Sequence, residues 1–143
     1  MKFYLERYPS NEDPRPILLP RKEISWEAKA VFNPSVIFDR GTYKMLYRTY
    51  SDIFGTTTPR LKSPGFNFKN QISYIGYAES KDGIQFERRD KAFISPDKDF
   101  DRYGCEDPRI TKVGDIFYIT YTAIDTPIEK KDPNIKIRIA LAS

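Results

Sequence analysis

From Phe32 onward, apolar and polar residues alternate with the two-residue period of half-buried strands, interrupted at short intervals by turn residues. Val36-Ile37-Phe38 and Tyr43-Lys44-Met45-Leu46-Tyr47-Arg48 flank Asp39-Arg40-Gly41-Thr42, which predicts a hairpin with glycine in its turn. Ile72–Ala78 predicts a third strand, Ser80-Lys81-Asp82-Gly83 a turn, and Ile84-Gln85-Phe86-Glu87 a fourth strand. Residues 51–71, rich in Gly, Pro, Thr, Lys and Asn, predict a long loop; loops of that length in compact domains often carry function. Residues 1–32 hold Pro9, Pro14, Pro16 and Pro20, which predicts an irregular lead-in with one edge strand, a candidate to close a sheet. No segment has a convincing helical period.

The strand pattern then recurs. Asn33-Pro34-Ser35-Val36 aligns with Asp107-Pro108-Arg109-Ile110 at an offset of 74, and without a gap Tyr43 meets Phe117, Tyr47 meets Tyr121 and Thr49 meets Ala123. Val113-Gly114-Asp115-Ile116 takes the place of the first hairpin turn. Ile75-Gly76-Tyr77-Ala78 matches Ile139-Ala140-Leu141-Ala142 across a shorter connection. Two four-stranded units with the same strand order predict an all-β propeller. The boundaries are a lead-in over 1–32, a first blade over 33–96 and an incomplete second blade over 97–143, so the chain is expected to supply about the first two blades. Alone, such a pair would expose sheet edges and be marginal or aggregation-prone.

Composition narrows the chemistry. With 39% hydrophobic and 31% charged residues the sequence fits a globular domain, and no apolar run approaches the roughly 20 residues that cross a bilayer. Met1–Arg7 lacks the apolar stretch of a signal peptide and Cys105 is the only cysteine, so a cytoplasmic location and no membrane partner are expected. The absence of histidine removes Ser-His-Asp and Cys-His catalysis and the usual zinc sites; no metal is expected. The net charge of +4 is scattered among acids, which argues against a nucleic-acid groove. Ten Tyr and ten Phe can stack on sugars, but they are also good strand formers.

Glu106-Asp107-Pro108-Arg109 concentrates two carboxylates, a proline and a guanidinium at the start of a strand. The residue before a proline is pushed toward extended backbone, which would place Asp107 and Arg109 on one face and Glu106 on the other. That arrangement suits proton transfer or polar-ligand recognition, and equally an Asp–Arg pair that closes a loop. Cys105, with no activating neighbour in view, reads as a buried small residue.

At Phe32-Asn33-Pro34-Ser35-Val36, Leu46-Tyr47-Arg48, Ile75–Gly83 and Glu106-Asp107-Pro108-Arg109-Ile110 the chain resembles glycoside hydrolase family 130, the β-mannoside phosphorylases, which also includes β-mannosidases. The resemblance runs from about residue 26 to the end. It implies a five-bladed propeller in the intact protein with its site on the central axis. It implies inverting phosphorolysis of mannooligosaccharides or mannosyl-glucose to α-mannose 1-phosphate, with phosphate as co-substrate and no cofactor. Asp107 matches the catalytic proton donor, and Asn33, Ser35 and Arg48 match sugar-contacting positions. Glu106 and Arg109 belong to the signature and are further substrate-binding candidates, Glu106 on sugar hydroxyls or in a structural pair and Arg109 as the residue that orders the Asp107 region. The family's phosphate-binding residues come mainly from later blades, so this chain is expected to be an incomplete, inactive piece. Hydrolysis by the same family, or a non-catalytic carbohydrate-binding propeller, are the alternatives, and a homo-oligomer is left open.

Overall fold

The computed structural model describes residues 15–54, 71–125 and 136–143. These form a 3-10 turn at Ser25–Glu27 and seven strands: β1 (Ala30–Asp39), β2 (Thr42–Phe54), β3 (Gln71–Ser80), β4 (Glu87–Arg88), β5 (Gly104–Val113), β6 (Ile116–Ile124) and β7 (Ile137–Ala142). Hydrogen-bonded neighbours run β1-β2-β3-β5-β6-β7, with β4 on the side of β3. Every pair is antiparallel except β3–β5, which meet in a single parallel pair, Ser73 opposite Gly104. The all-β architecture and the two hairpin turns follow the sequence pattern.

The internal repeat extends to register. In the first unit Phe32 faces Arg48, a bulge follows, and Ser35 faces Leu46. In the second, Glu106 faces Thr122, a bulge follows, and Arg109 faces Thr120, each residue 74 positions on. Tyr47 lies opposite Gly76 and Tyr121 opposite Ala140, so the third strands repeat as well.

Two expected boundaries differ. The fourth strand is not Ile84–Glu87: the Asp82 carboxylate accepts hydrogen bonds from the Ile84 and Gln85 amides at 2.8 Å, and the Ser80 hydroxyl accepts from the Gly83 amide at 2.9 Å. The turn thus uses the amides that a strand would need, and pairing starts only at Glu87. The long loop is shorter than 51–71, because β2 continues to Phe54, which pairs with Gln71 at the start of β3. Residues 55–70 lie outside the described residues. In the lead-in, the described part before Ala30 contains the 3-10 turn and no strand, while residues 1–14 lie outside the description.

Alternate residues of β2 serve opposite faces. Leu46 joins Ile75, Tyr77, Cys105, Ile119, Tyr121 and Ala123 in a core between the two units. Met45 and Tyr47 join Trp26 and Ala78 in a second core beneath the lead-in. Ile75, fully buried between the units, contrasts with its counterpart Ile139, which is 85% exposed on β7.

Each unit also anchors a tyrosine on a buried acid. The Tyr47 hydroxyl donates to Glu27 Oε2 at 2.8 Å, and the Tyr121 hydroxyl donates to Asp101 Oδ2 at 2.9 Å. Both acids are buried and both pairs span 20 residues, so the repeat reaches back to Glu27, which is 74 positions before Asp101. Desolvation and the neighbouring acid raise both phenols above their ordinary range, which keeps them protonated donors. The surroundings differ in one respect. Glu27 also meets Arg21 and Arg88, whereas Asp101 accepts from the Lys98 amide at 2.9 Å and faces the Cys105 thiol at 3.6 Å.

Loss of a hydrogen bond to a buried carboxylate costs about 1.5–3 kcal/mol. Tyr121→Phe is therefore expected to lower stability by that order, and by more than Tyr47→Phe, because Glu27 keeps two guanidinium partners. Urea unfolding of the whole protein measures both; equal losses or the reverse order would contradict the assignment.

Candidate active site

The first strands of the two units bend at the same place. Asn33 precedes Pro34 and has φ +47°; Asp107 precedes Pro108 and has φ +50°. Asn and Asp are the side-chain-bearing residues that best tolerate positive φ. A proline inside a bulge leaves no amide N–H unpaired, and Pro108 is buried without that cost. The extended backbone expected at Asp107 is thus replaced by a bulge, and simple alternation fails across it. Glu106 and Asp107 both reach the same arginine, whereas Arg109 does not join them.

That arginine is Arg48, on the Leu46 face of β2 and directed toward the second unit. Its Nη1 donates to Asp107 Oδ1 at 3.1 Å. Its Nη2 donates to Glu106 Oε1 and, at 2.8 Å, to the Tyr50 hydroxyl. The guanidinium lies 4.8 Å from the Phe32 ring centre and 4.9 Å from that of Tyr50, distances at which the ring faces attract a cation. The Arg48 side chain is only 9% exposed, and its Nε, also buried, has no hydrogen-bond partner among the described residues.

Asn33 Nδ2 donates to Asp107 Oδ1 at 2.6 Å. Because a carboxylate only accepts, this contact fixes which way the amide faces. The Ser73 hydroxyl donates to Glu106 Oε1 at 2.9 Å. Asp107 remains 39% exposed and Glu106 12%. Desolvation pushes the Asp107 carboxyl upward. The hydrogen bonds from Asn33 and Arg48, with the charges of Arg48 and Arg109, outweigh it and hold the group below its ordinary value.

Of the residues singled out from sequence, Asn33, Arg48, Glu106 and Asp107 form one bonded cluster. Ser35 lies beside it, where its hydroxyl accepts from the Ile110 amide at 3.1 Å and ties β1 to β5. Arg109 is exposed and donates to its neighbour's Pro108 carbonyl at 2.8 Å. The expected Asp107–Arg109 pairing on one face is therefore corrected: Arg48 supplies the contact, and Arg109 acts only through its charge. Cys105 is fully buried, and burial with the nearby Asp101 raises its thiol well above the ordinary range.

Ser73, Tyr50 and Phe32 belong to the cluster and were not singled out. Tyr50 lies two residues after Arg48 on the same strand face, so alternation carried that signal. Ser73 is brought in only by the β3–β5 contact, which leaves no local trace.

Among known proteins, the profile of glycoside hydrolase family 130, described as β-1,4-mannooligosaccharide phosphorylase, matches residues 12–138. Over 108 residues the chain is 41% identical to a 1,2-β-oligomannan phosphorylase of Thermoanaerobacter sp. (strain X514), covering 76% of this chain and 33% of that protein. It is 42% identical to a β-1,2-mannobiose phosphorylase of the same organism, covering 76% and 34%. The chain thus spans about one third of the length of these relatives. The crystal structure of a glycosyl hydrolase from Bacteroides ovatus superposes with a TM-score of 0.64 at 26% identity, over 94% of this chain and 38% of that one. The two repeated units are blades of the five-bladed propeller fold. The chain belongs to glycoside hydrolase family 130.

Proposed function

We propose that the whole protein cleaves β-mannosides with inorganic phosphate, by inversion, and that Asp107 supplies the proton to the leaving sugar. The observation that carries this reading is the state of the Asp107 carboxylate. Both hydrogen bonds it receives from Asn33 and Arg48 fall on Oδ1, which leaves Oδ2 without a protein donor among the described residues. In the proposed reaction a phosphate oxygen attacks the anomeric carbon from the face opposite the leaving group. The bond from that carbon to the glycosidic oxygen breaks, the oxygen takes up a proton, and α-mannose 1-phosphate is released. Phosphate is already an anionic nucleophile, so a single acid suffices, whereas inverting hydrolysis needs a second carboxylate to activate water.

Asp107 is ionised near neutral pH in the free protein, since its carboxyl lies below the ordinary 3.8. The carboxylate must therefore take up a proton from water as the substrate binds. A sugar filling the site removes water from the carboxylate and raises its proton affinity, and a sugar hydroxyl can pass the proton to the leaving oxygen. Hydrolysis is the second reading, favoured by the likeness to the Bacteroides ovatus glycosyl hydrolase. It is weakened by Glu106, the nearest second carboxylate, which is nearly buried and bonded to Arg48 and Ser73. The two Thermoanaerobacter relatives support β-1,2-linked mannosides as substrates.

The whole protein, incubated with β-1,2- or β-1,4-mannobiose, is expected to form mannose 1-phosphate only when phosphate is present, and faster from the β-1,2 isomer. Free mannose at equal rates without phosphate would establish hydrolysis instead. Asp107→Asn should lower turnover about 10²- to 10⁴-fold, the range of general acid catalysis, with an unchanged circular dichroism spectrum. Activity near that of the unaltered protein would remove Asp107 from the reaction.

The pH dependence has a definite sign. A carboxyl with a lowered value in the folded state adds stability above 3.8 that is lost as pH falls through the lowered value. Asn33→Gly removes one donor to Oδ1 without straining the positive-φ backbone. It should raise the Asp107 value toward 3.8 and shrink that contribution. Carboxyl-carbon NMR titration, with Asp107→Asn to identify the signal, reads the change; an unmoved titration would show that Asn33 does not stabilise the carboxylate.

A further inference from the structure

We propose that Ser73 is a positioning residue for Asp107, acting through Glu106 and Arg48. The proposal rests on the reading of Asp107 as the acid. Four groups form an unbroken chain: the Ser73 hydroxyl donates to Glu106 Oε1, Arg48 Nη2 donates to the same oxygen, and Arg48 Nη1 donates to Asp107 Oδ1. Arg48 Nε has no hydrogen-bond partner among the described residues, so no third hydrogen bond from them along the guanidinium edge sets the fork's rotation. Its orientation depends on the acceptors of its two terminal nitrogens: Glu106 and Tyr50 on one side, Asp107 on the other. The rings of Phe32 and Tyr50, with centres 5.1 Å apart, both lie against the guanidinium and supply no hydrogen-bond acceptor from their faces, so its rotation is left to those acceptors.

Glu106 is therefore the fixed point of the fork, and Ser73 helps to fix Glu106. Ser73 is fully buried and sits opposite Gly104 in the one parallel pair between β3 and β5. A β-carbon built on Gly104 would lie 3.4 Å from the Ser73 Cβ and 3.6 Å from both the Ser73 hydroxyl and Glu106 Oε1. The serine thus packs directly over the β5 backbone that begins the Glu106-Asp107 segment. Without the Ser73 hydroxyl, Glu106 Oε1 loses one of the donors that hold it in place. Glu106 shifts, Arg48 follows it, and the Nη1 contact to Asp107 loosens. The charged groups around Asp107 are then Arg48 from β2, and Glu106 and Arg109 from β5, with the Asn33 amide from β1.

The test compares Ser73→Ala, Glu106→Gln and the double variant in the whole protein, with β-1,2-mannobiose and phosphate. Ser73→Ala should lower kcat by up to about 100-fold with little change in KM, the result of a displaced acid rather than of lost sugar contacts. NMR titration of Asp107 in Ser73→Ala should move upward, because Arg48 holds the carboxylate less well. The double variant should lose no more than Glu106→Gln alone, since Ser73 acts through that carboxylate. Additive losses, or an Asp107 titration and a kcat unchanged by Ser73→Ala, would overturn the proposal. Failure of the underlying reading has a different signature: Asp107→Asn keeps its turnover, while Ser73→Ala still moves the Asp107 titration. Should Ser73→Ala fail to fold, Ser73→Thr, which keeps the hydroxyl, should retain kcat and the Asp107 titration; loss of both in a folded Ser73→Thr would count against the positioning role.

Discussion

A guanidinium removed from water must find its counter-charges within the protein, and Arg48 finds them on the other repeat. Its stem belongs to β2 of the first unit, but its carboxylate partners, Glu106 and Asp107, belong to β5 of the second. Removing one partner of a buried ion pair is far more costly than the pair's net contribution, because the remaining charge is stranded. The two units are therefore held in one relative position by an electrostatic requirement as well as by the apolar core of Leu46, Ile75, Cys105 and Ile119. The rings of Phe32 and Tyr50, whose centres are 5.1 Å apart, lie together against Arg48 and suit the flat, weakly hydrated head of arginine.

The repeat supplies the same backbone device twice and gives it two chemistries. A bulge with a positive-φ residue before proline occurs in both first strands, with Asn in one and Asp in the other. Their side chains are then close enough to bond to each other, an amide donor to a carboxylate acceptor. One conformation thus yields a complementary pair because the two residues at this position, Asn33 and Asp107, differ only in amide against carboxylate. The anchoring pairs Glu27–Tyr47 and Asp101–Tyr121 show the reverse case: the chemistry is retained while the surrounding charges differ.

Much of this was legible in the sequence, and the parts that were not have identifiable causes. The offset of 74 between Asn33 and Asp107 predicted the shared register, since one strand order with one turn length leaves little freedom in pairing. Asn33, Arg48, Glu106 and Asp107 were named from the motifs and lie together. Simple alternation failed where a bulge or a turn-forming side chain claimed the backbone. The preference of pre-proline residues for extended backbone gave way at Asp107 to the bulge, and with it the expected pairing with Arg109. Ile84-Gln85-Phe86 has strand-like alternation, but a side chain two residues upstream claims its amides. Glu27 and Asp101 give no repeat signal in the sequence, because the acids differ in length and precede the segment where the repeat is most similar. Ser73 lies 33 residues from its partner, a separation that no local pattern encodes.

The crossing of Arg48 from one unit to the other also ties chemical competence to mechanical integrity. Partial separation of the two repeats would break the contacts of Arg48 with Glu106 and Asp107 before either unit lost its own strands. The proposed acid would then be an ordinary solvated carboxylate on a folded but disarmed blade. The seam between the repeats is in this sense part of the site: any change that opens it takes Arg48 away from Glu106 and Asp107.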